Sequence, residues 1–363
     1  MWAAFSPLIG CTSFQVRSQD GAVIYCRSLE FGFPLQSEIL IAPRATSYTG
    51  TAPDGKSGIK WKVKYGFLGM NQSMAQNFVN DGMNEKGLAV GCLYLPKFAQ
   101  YEKPDADQNE RTLGAWELAT YLLSTCATVQ DVKAAIPNII VAQEPTPQLN
   151  GFFLPVHFHI CDATGASLVI EYVGGERRVH DNPVGVLTNS PPFDWQMNHL
   201  MSYVNLSPVN APNLQLKNYK VQFAGQGSGL LGLPGDYSAP SRFVRAALFS
   251  SFATPPKNAI GAVRLGFHLL NTFDVVDGLV RAGGQEERVP AGMRDTEITQ
   301  WVVVYDQTNR KAYFRTYEGL AIQMVDLKKL DFTEGEGFRQ IAVKKEFSFE
   351  NITDNVRPLQ IKD

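Results

Sequence analysis

The sequence predicts an α+β protein in which antiparallel sheets are covered by helices. Segments of alternating or continuous apolar residues, which favour strands, occur in the first half of the chain and again near residue 300. Asp20-Gly21 and residues 162–165 are turn sequences that join neighbouring strands into hairpins. Segments with helical apolar spacing stand between groups of strands. That order favours sheets covered by helices over a series of βαβ units.

The first predicted hairpin is formed by residues 12–16 and 22–28. Further strands are predicted at residues 60–68, 88–95, 156–161, 166–172, 177–180, 185–188, 300–305 and 311–317. The segment 177–188 continues the meander of the strands before it. Helices are predicted at residues 112–124, 128–135, 241–252 and 259–271. The chain contains no repeat, low-complexity tract or long linker, so we expect one compact domain.

Composition and charge exclude several classes of protein. Of 363 residues, 44% are hydrophobic and 19% are charged, which permits a sizeable core and excludes a wholly disordered chain. Lysine and arginine number 33 against 35 aspartates and glutamates, so the net charge of −2 argues against binding to nucleic acid. No apolar run reaches the about 18 residues of a membrane span, and no stable membrane insertion is expected.

Residues 1–10 are apolar but lack a lysine or arginine, and they are too short for a complete secretory signal. The chain as written is therefore expected in the cytoplasm. A signal peptide upstream of it would instead direct the protein to the periplasm or outside the cell.

Five cysteines stand at positions 11, 26, 92, 126 and 161, an odd number with no CxxC spacing. We expect neither a disulfide framework nor a structural zinc site, and at least one thiol stays free unless it pairs between chains. His157 and His159 point to one face of a predicted strand, but no metal-ligand spacing accompanies them, so we interpret them as structural. No metal or cofactor is expected.

A glycine-rich segment at residues 225–232 contains the pattern GxGxxG. Dinucleotide binding needs this pattern between a strand and a helix, and Pro234 would break a helix here. We interpret the segment as a tight loop beside a site.

The N-terminal hairpin offers a candidate catalytic group. Its turn returns Arg27 to the neighbourhood of Cys11, with Glu30 close by. A guanidinium lowers the pKa of a nearby thiol, and a carboxylate can hold an ammonium group. The alternative from spacing alone is a surface ion pair beside a structural cysteine.

These residues also carry a resemblance to a known family. The segments that carry it are Cys11-Thr12-Ser13-Phe14, residues 27–32, Asn84-Glu85-Lys86-Gly87-Leu88, residues 187–191 and Gly232-Leu233-Pro234-Gly235-Asp236 followed by Ser241-Arg242-Phe243. In this order they resemble the choloylglycine hydrolase family, which includes bile salt hydrolases and penicillin V acylases. The similarity extends from Cys11 to about Glu318.

The resemblance implies an N-terminal-nucleophile hydrolase with a four-layer αββα sandwich of two antiparallel sheets. It implies that residues 1–10 are a removable leader and that residues 11–363 form a single hydrolase domain. Removal would free the α-amino group of Cys11, which has a pKa of about 7.7–8.0 in model peptides and can act as a general base.

The resemblance also assigns roles. Cys11 would be the nucleophile, Arg27 would raise its thiolate fraction, and Glu30 would bind the α-amine. The side-chain amide of Asn189 and the backbone N–H of Tyr94 would donate to the oxyanion. Arg242 would hold the catalytic residues in position. The glycine-rich loop would bring Arg242 and Asp236 near the site.

Two departures bear on activity and substrate. The family usually has aspartate where Glu30 stands, and the longer side chain must reach the amine by a shifted backbone or rotamer. Bile salt hydrolases tend to have asparagine where Tyr94 stands and penicillin V acylases tyrosine. The main prediction is therefore a penicillin V acylase-like amidase, with a bile salt hydrolase or an N-acyl homoserine lactone acylase as alternatives.

Four apolar residues are candidates for the pocket that binds the acyl group, and ordinary core packing is the alternative for each. They are Leu29, Phe31, Phe33 and Met70. Residues 195–222 resemble an excursion used in assembly by family members, which implies a homotetramer.

Two interpretations without the hydrolase activity also remain open. Leu8-Ile9-Gly10-Cys11 resembles a lipoprotein cleavage box, so Cys11 could anchor a non-enzymatic lipoprotein. An unprocessed chain would be an inactive homologue.

Overall fold

The computed structural model describes residues 10–357 except 33, 73–74, 148–150, 152, 223–224 and 282–295. The first ten strands are β1 (Cys11–Arg17), β2 (Val23–Phe31), β3 (Ile39–Ala42), β4 (Ser47–Ala52), β5 (Lys56–Lys62), β6 (Phe67–Asn71), β7 (Val79–Asn84), β8 (Ala89–Tyr94), β9 (Thr112–Gly114) and β10 (Ile140–Ala142). The others are β11 (Val156–Cys161), β12 (Ser167–Val173), β13 (Glu176–Asp181), β14 (Val186–Leu187), β15 (Leu214–Leu216), β16 (Tyr219–Val221), β17 (Ile298–Asp306), β18 (Lys311–Thr316), β19 (Gln323–Asp326) and β20 (Arg339–Ile341). The α-helices are α1 (Leu118–Thr125), α2 (Val129–Ala135), α3 (Phe193–Leu200), α4 (Ala239–Phe252) and α5 (Ala259–Leu270).

Two large antiparallel sheets form the centre of the protein. The first has the strand order β14-β1-β2-β17-β18-β19, and the second has β13-β12-β11-β8-β7-β6-β3-β20. Helices α4 and α5 pack on β1, β2 and β17, whereas α1 packs on β7 and β8 of the second sheet. The layers are therefore helix, sheet, sheet and helix, and the predicted αββα sandwich is confirmed.

The N-terminal hairpin occupies the middle of the first sheet. All nine residues of β2 are buried, because one face packs on α5 and the other faces the second sheet. The register places Cys11 opposite Leu29 and Ser13 opposite Arg27. The predicted hairpin is confirmed, and its second strand continues to Phe31.

Most other predicted elements agree with the structure to within two residues at each end. They are the strands predicted at 88–95, 156–161, 166–172, 177–180, 300–305 and 311–317 and the helices at 128–135, 241–252 and 259–271. The helix α2 begins as predicted, since the Thr128 side chain accepts a hydrogen bond from the backbone N–H of Asp131.

The prediction of one strand over residues 60–68 is wrong. The chain turns between β5 and β6, which belong to different sheets. The backbone N–H groups of Lys64 and Tyr65 both donate to the carbonyl oxygen of Ser124, at 2.8 and 3.0 Å. These bonds replace the strand pairing that a continuous strand would need.

The predicted helix over residues 112–124 is wrong in its first half. Residues 112–114 form β9, which pairs in parallel with β10, and α1 begins only at Leu118. Glycine is a weak helix former, and the N–H of Gly114 donates to the Glu117 carboxylate at 2.8 Å. The periodicity of the apolar residues therefore continues across a change of backbone structure.

The strand predicted at residues 185–188 exists as β14, but it does not continue the meander. It leaves the second sheet and pairs with β1, where Leu187 lies opposite Ser13. This crossing carries the next residues, Thr188 and Asn189, to the end of β1 where Cys11 lies.

Polar side chains connect the two sheets through a narrow gap. Tyr25 of β2 donates to Asp81 of β7 at 2.9 Å, and Ser13 of β1 contacts His159 of β11 at 2.7 Å. A Cβ atom on Gly91 of β8 would collide with the Tyr25 hydroxyl and lie 2.7 Å from Asp81 Oδ2. The sheets approach this closely because position 91 has no side chain.

We predict that Gly91→Ala lowers the free energy of unfolding by about 1–3 kcal/mol, because the added methyl group overpacks this gap. Urea unfolding measures the change. The matched control is Gly235→Ala, because a Cβ atom there would meet nothing within 4 Å. We expect that control to change stability by no more than about 0.5 kcal/mol. Equal effects of the two substitutions would contradict this account of the sheet contact.

Candidate active site

The N-terminal hairpin places the thiol of Cys11 beside the guanidinium of Arg27. Arg27 Nη2 lies 3.4 Å from Cys11 Sγ, and both side chains are buried. Arg27 also donates to the carbonyl oxygens of Asn80 and Cys92 and lies 3.4 Å from the carboxylate of Asp81. These contacts come from the second sheet, so the packing of the two sheets fixes the guanidinium against the thiol.

Burial and charge oppose each other at Cys11. Burial raises the pKa of the thiol, the positive charge of Arg27 lowers it, and the nearby Glu30 raises it again. The net shift is upward, so burial outweighs the effect that the sequence predicts for Arg27. A thiol in this environment stays protonated near neutral pH and needs a base to become a nucleophile.

Asn189 holds the backbone of Cys11 with its side-chain oxygen. Oδ1 accepts hydrogen bonds from the Cys11 backbone nitrogen and from Arg242 Nη2, both at 2.7 Å. Nδ2 donates to the carbonyl oxygen of Tyr94 at 2.8 Å. Because two donors face Oδ1, the orientation of the amide is determined, and Nδ2 keeps a second hydrogen for another acceptor. The backbone N–H of Tyr94 also acts on the Cys11 thiol and lowers its pKa.

Arg242 connects α4 to the same end of β1. Its Nη1 donates to the carbonyl oxygen of Cys11 and, at 2.8 Å, to the hydroxyl of Thr12. Its Nε donates to the carbonyl oxygen of Tyr237 at 2.9 Å. With the bond to Asn189, one buried guanidinium fixes both the backbone of Cys11 and the amide beside it.

Glu30 lies next to the bond that joins Gly10 to Cys11. Its backbone N–H donates to the Gly10 carbonyl oxygen at 2.9 Å, and its carboxylate accepts from the hydroxyl of Thr299 at 3.1 Å. Burial raises the pKa of Glu30 to about 8, and the nearby Glu297 contributes to the increase. The peptide nitrogen of Cys11 carries one hydrogen, which Asn189 accepts, so the predicted contact of Glu30 with a free α-amine stays a prediction.

A second layer of polar residues supports Asn189. One ring nitrogen of His157 lies 2.7 Å from the carboxylate of Glu171, and the other lies 2.9 Å from the carbonyl oxygen of Thr188. The Glu171 carboxylate also accepts from the backbone N–H of Phe193. His157 is therefore structural, as the sequence predicts, and it holds the chain immediately before Asn189.

An apolar cavity opens at the thiol. Its lining comprises Cys11, Arg27, Leu29, Phe31, Leu35, Gln72, Phe78, Asn80, Cys92, Tyr94, Leu154 and Val156. Leu29 and Phe31 were predicted to line such a pocket. Met70 is buried in the core and does not line it. Phe33 lies outside the described residues.

The sequence analysis missed several residues of this site, namely Phe78, Asn80, Asp81, Leu154, Val156 and Glu297. They lie far from Cys11 along the chain, and none belongs to a pattern that indicates chemistry. The pairing of β8 with β7 and β11 brings four of them to the cavity at the thiol and places Asp81 against Arg27.

The glycine-rich loop does not bring Asp236 to the thiol. The Asp236 carboxylate accepts from the Ser241 hydroxyl at 2.6 Å and the Ser238 backbone N–H at 2.9 Å, at the start of α4. These hydrogen bonds lower the pKa of Asp236 to about 2. The loop therefore leads into the helix that carries Arg242.

Two negative findings concern the described part of the chain. It contains no cluster of His, Cys, Asp or Glu side chains arranged to hold a metal ion. None of its helices combines the length and apolar character needed to cross a membrane. All five cysteines lie in the described ranges, and each is a buried free thiol.

Comparisons with known proteins agree with one another. The chain is 30% identical over 322 residues to a bile salt hydrolase/transferase of Clostridium perfringens, covering 88% of this chain and 93% of that protein. It is 27% identical to a penicillin V acylase of Pectobacterium atrosepticum, covering 86% and 79%. The crystal structure of a variant of conjugated bile acid hydrolase from Clostridium perfringens matches with a TM-score of 0.81 at 28% identity, covering 94% and 100%.

The family model for linear amide C–N hydrolases of the choloylglycine hydrolase family matches residues 11–343. The match begins at the cysteine on which the site is built. The chain therefore belongs to the choloylglycine hydrolase family and is a hydrolase of linear amide C–N bonds.

Proposed function

We propose that this protein cleaves N-acyl amides with Cys11 as the nucleophile, after residues 1–10 have been removed. One observation carries the proposal: the buried thiol lies 3.4 Å from a guanidinium, and the amide of Asn189, held by Arg242, binds the nitrogen of the same residue. The nucleophile and its own backbone nitrogen are thus fixed together.

In this mechanism the free α-amine of Cys11 takes the proton of the thiol, and the thiolate attacks the carbonyl carbon of the substrate. The oxyanion accepts hydrogen bonds from Nδ2 of Asn189 and the backbone N–H of Tyr94. The C–N bond then breaks, and the leaving amine takes the proton from the α-ammonium. Water hydrolyses the thioester, which releases the acid and restores the thiol.

The α-amine is the best candidate for the base because the nearby histidines have other partners. His157 lies between Glu171 and Thr188, and His159 contacts Ser13 and Ser167. Burial lowers the pKa of His159 to about 3 and so keeps its ring neutral. Removal of residues 1–10 creates the amine, and the match to the family from residue 11 onward supports this step.

As substrate we propose a conjugated bile acid, in which a largely apolar acyl group is linked to an amine by one amide bond. The relative and the solved structure from Clostridium perfringens support this choice, as does the apolar cavity beside the thiol. Tyr94, which lines that cavity, is the basis for the second candidate, penicillin V. The comparisons favour the bile salt alternative over the penicillin V preference that the sequence analysis put first. N-acyl homoserine lactones are the third candidate.

The lipoprotein alternative fits the geometry poorly. The thiol of Cys11 is enclosed between two sheets, whereas a lipid-anchored cysteine has to reach the membrane. The homotetramer remains a prediction. Several large apolar side chains in the segment that suggested it are exposed, namely Met201, Val204, Val209, Leu214, Leu216 and Tyr219.

We predict that glycine- and taurine-conjugated bile salts are hydrolysed with a higher kcat/KM than penicillin V or acyl homoserine lactones. The same purified protein is assayed with all the substrates, and free amine release is measured. Mass spectrometry of quenched samples is expected to detect the acyl group on Cys11. Faster hydrolysis of penicillin V would replace the bile salt proposal with the second candidate.

We predict that Cys11→Ala lowers kcat/KM by at least about 10⁴-fold, the scale seen when a nucleophile is removed. Cys126→Ala is the matched control, because Cys126 is also a buried free thiol but does not line the cavity. We expect the control to retain activity. Full activity of Cys11→Ala would refute the proposed nucleophile.

We predict that Asn189→Asp lowers kcat by about 10²–10³-fold, because it keeps the acceptor for Cys11 and Arg242 but replaces the donor to the oxyanion and to the Tyr94 carbonyl oxygen with a negatively charged oxygen. Ser190→Ala is the neighbouring control, since its hydroxyl donates to the carbonyl oxygen of Pro96 and not to the site. Steady-state kinetics on both variants tests the role of the amide. An unchanged kcat in Asn189→Asp would show that another group stabilises the oxyanion.

A further inference from the structure

Two buried carboxyl groups flank the bond between Gly10 and Cys11. Glu30 is 1% exposed and Glu297 is 6% exposed. A Cβ atom built on Gly10 would lie 2.8 Å from Oε1 of Glu297 and 3.3 Å from Cβ of Glu30. Glu297 therefore contacts the residue immediately before the nucleophile. We refer to Glu30 and Glu297 together as the acid pair.

Each member of the acid pair has one carboxyl oxygen without a hydrogen-bond partner in the part of the chain that the structure describes, whereas the other oxygen of Glu30 accepts from Thr299. Oε1 of Glu297 and Oε2 of Glu30 are buried and accept no hydrogen bond there, although the hydroxyl of Ser28 is near enough to lower the pKa of Glu30. Arg242 is near enough to lower the pKa of both groups, but its hydrogen bonds go to Cys11, Thr12, Asn189 and Tyr237. A buried carboxyl oxygen without a partner costs free energy, so its position needs a reason.

Another buried glutamate shows the usual arrangement. Glu117 accepts hydrogen bonds from the backbone N–H groups of Thr51 and Gly114 and from the Thr51 hydroxyl. A buried oxygen without a hydrogen bond also occurs in Glu38, Asp81 and Asp274, so what distinguishes the acid pair is its position beside the Gly10–Cys11 bond.

We propose that Glu297, acting with Glu30, relays the proton of the Cys11 thiol to the Cys11 nitrogen as the Gly10–Cys11 bond breaks, and that the acid pair then binds the α-ammonium group that cleavage releases. The proposal rests on the proposed function, because it concerns the step that makes the catalytic amine.

The chemistry balances with the groups present and water. The sulfur of Cys11 bonds to the carbonyl carbon of Gly10, whose oxygen is polarised by the backbone N–H of Glu30 at 2.9 Å. The thiol proton passes to the acid pair, the C–N bond breaks, and the acid pair gives a proton to the nitrogen. Water then adds to the thioester carbon, the C–S bond breaks, and the sulfur regains a proton. The products are a Gly10 carboxylate and a Cys11 α-ammonium.

The pKa values of the two carboxyl groups in the acid pair suit the proposed transfer of a proton from the thiol to the Cys11 nitrogen. Burial is the main cause that raises the pKa of Glu30 to about 8 and that of Glu297 to about 7. A carboxyl group in that range can both accept and donate a proton near neutral pH.

The number of hydrogen-bond acceptors around the Cys11 nitrogen matches the number of hydrogens on the α-ammonium group that cleavage releases. An ammonium group has three hydrogens, and Asn189 Oδ1 already accepts from this nitrogen. The two orphan oxygens of the acid pair are suited to the other two hydrogens. Cleavage thus supplies a cation where the described residues of the uncleaved chain leave two carboxyl oxygens without hydrogen-bond partners.

The test uses the full chain with Glu297→Gln, isolated as folded protein by size exclusion at fixed times after synthesis. Intact mass gives the fraction of chains that begin at Cys11. We expect this fraction to appear at least ten times more slowly than in the unsubstituted protein. Glu117→Gln, which alters another buried glutamate, is the matched control and is expected to lose residues 1–10 at the normal rate. Normal removal in Glu297→Gln would overturn the relay.

Two further measurements exclude a purely structural effect. Glu297→Asp keeps a carboxyl group and is expected to lose residues 1–10 faster than Glu297→Gln, whereas equal rates in the two folded variants would overturn the relay. Thermal unfolding of each variant is compared with that of Glu117→Gln. If removal of residues 1–10 slows only in proportion to lost stability in all three variants, the relay is likewise overturned.

The outcome for Cys11→Ala separates this proposal from the proposed function. That variant is expected to keep residues 1–10. If it loses them, the assignment of Cys11 as nucleophile fails, and the relay fails with it. If it keeps them while Glu297→Gln is processed normally, only the relay fails.

Discussion

The guanidinium of Arg242 holds together three parts of the chain that are far apart in sequence. It binds the backbone oxygen of Cys11 in β1 and the side-chain oxygen of Asn189 after β14, and it is itself carried by α4. Because Asn189 Oδ1 is held by two donors, its Nδ2 faces the other way, toward Tyr94. The direction of the proposed oxyanion donor therefore depends on Arg242 together with the Cys11 nitrogen and the Tyr94 carbonyl oxygen. The loop before α4 and the crossing of β14 to the first sheet both serve to make these contacts.

Burial is the main cause of the raised pKa values of the thiol and the carboxyl groups in the site. The charge of Arg27 is shared between Cys11 and the buried Asp81, so its effect on the thiol is smaller than an isolated cation would give. Burial raises the pKa of the thiol and of both members of the acid pair. The thiol therefore stays protonated near neutral pH, and the site does not hold a preformed thiolate. This arrangement suits a nucleophile whose base is its own amine.

The local pattern of apolar, turn and capping residues was sufficient to predict the elements that define the fold. The hairpin of β1 and β2 follows from apolar strands around Asp20-Gly21, and α2 follows from the capping residue Thr128. Pattern failed at residues 112–124, because apolar spacing there continues through a strand that pairs with β10. It failed at 60–68 because the turn is held by the carbonyl oxygen of Ser124, a contact from outside the segment.

The residues of the candidate site likewise divide into those that the sequence predicted and those that it did not. Cys11, Arg27 and Glu30 were found because they share one hairpin, and Asn189 and Arg242 were found because they stand in motifs that resemble a family. Glu297 has no motif and lies 286 positions after Cys11 along the chain. It reaches Gly10 just before β17, which pairs with β2 beside Glu30. Such a residue is recognised only from the partners that its carboxyl group lacks.

Cys11 would attack two carbonyl groups, that of Gly10 when residues 1–10 are removed and that of the substrate during hydrolysis. The oxygens of these two groups bind to different hydrogen-bond donors. The Gly10 carbonyl oxygen is held by the backbone N–H of Glu30, on the side of the acid pair. In the proposed hydrolysis the substrate's oxygen binds instead to Asn189 and to the backbone N–H of Tyr94, a residue that lines the apolar cavity. The nitrogen of Cys11 is bound to Asn189 Oδ1 in the uncleaved chain, and the same acceptor suits the free amine. The proposed removal of residues 1–10 would therefore need no rearrangement of Arg242 or Asn189, since it would remove one carbonyl group and leave the donors for the other in place.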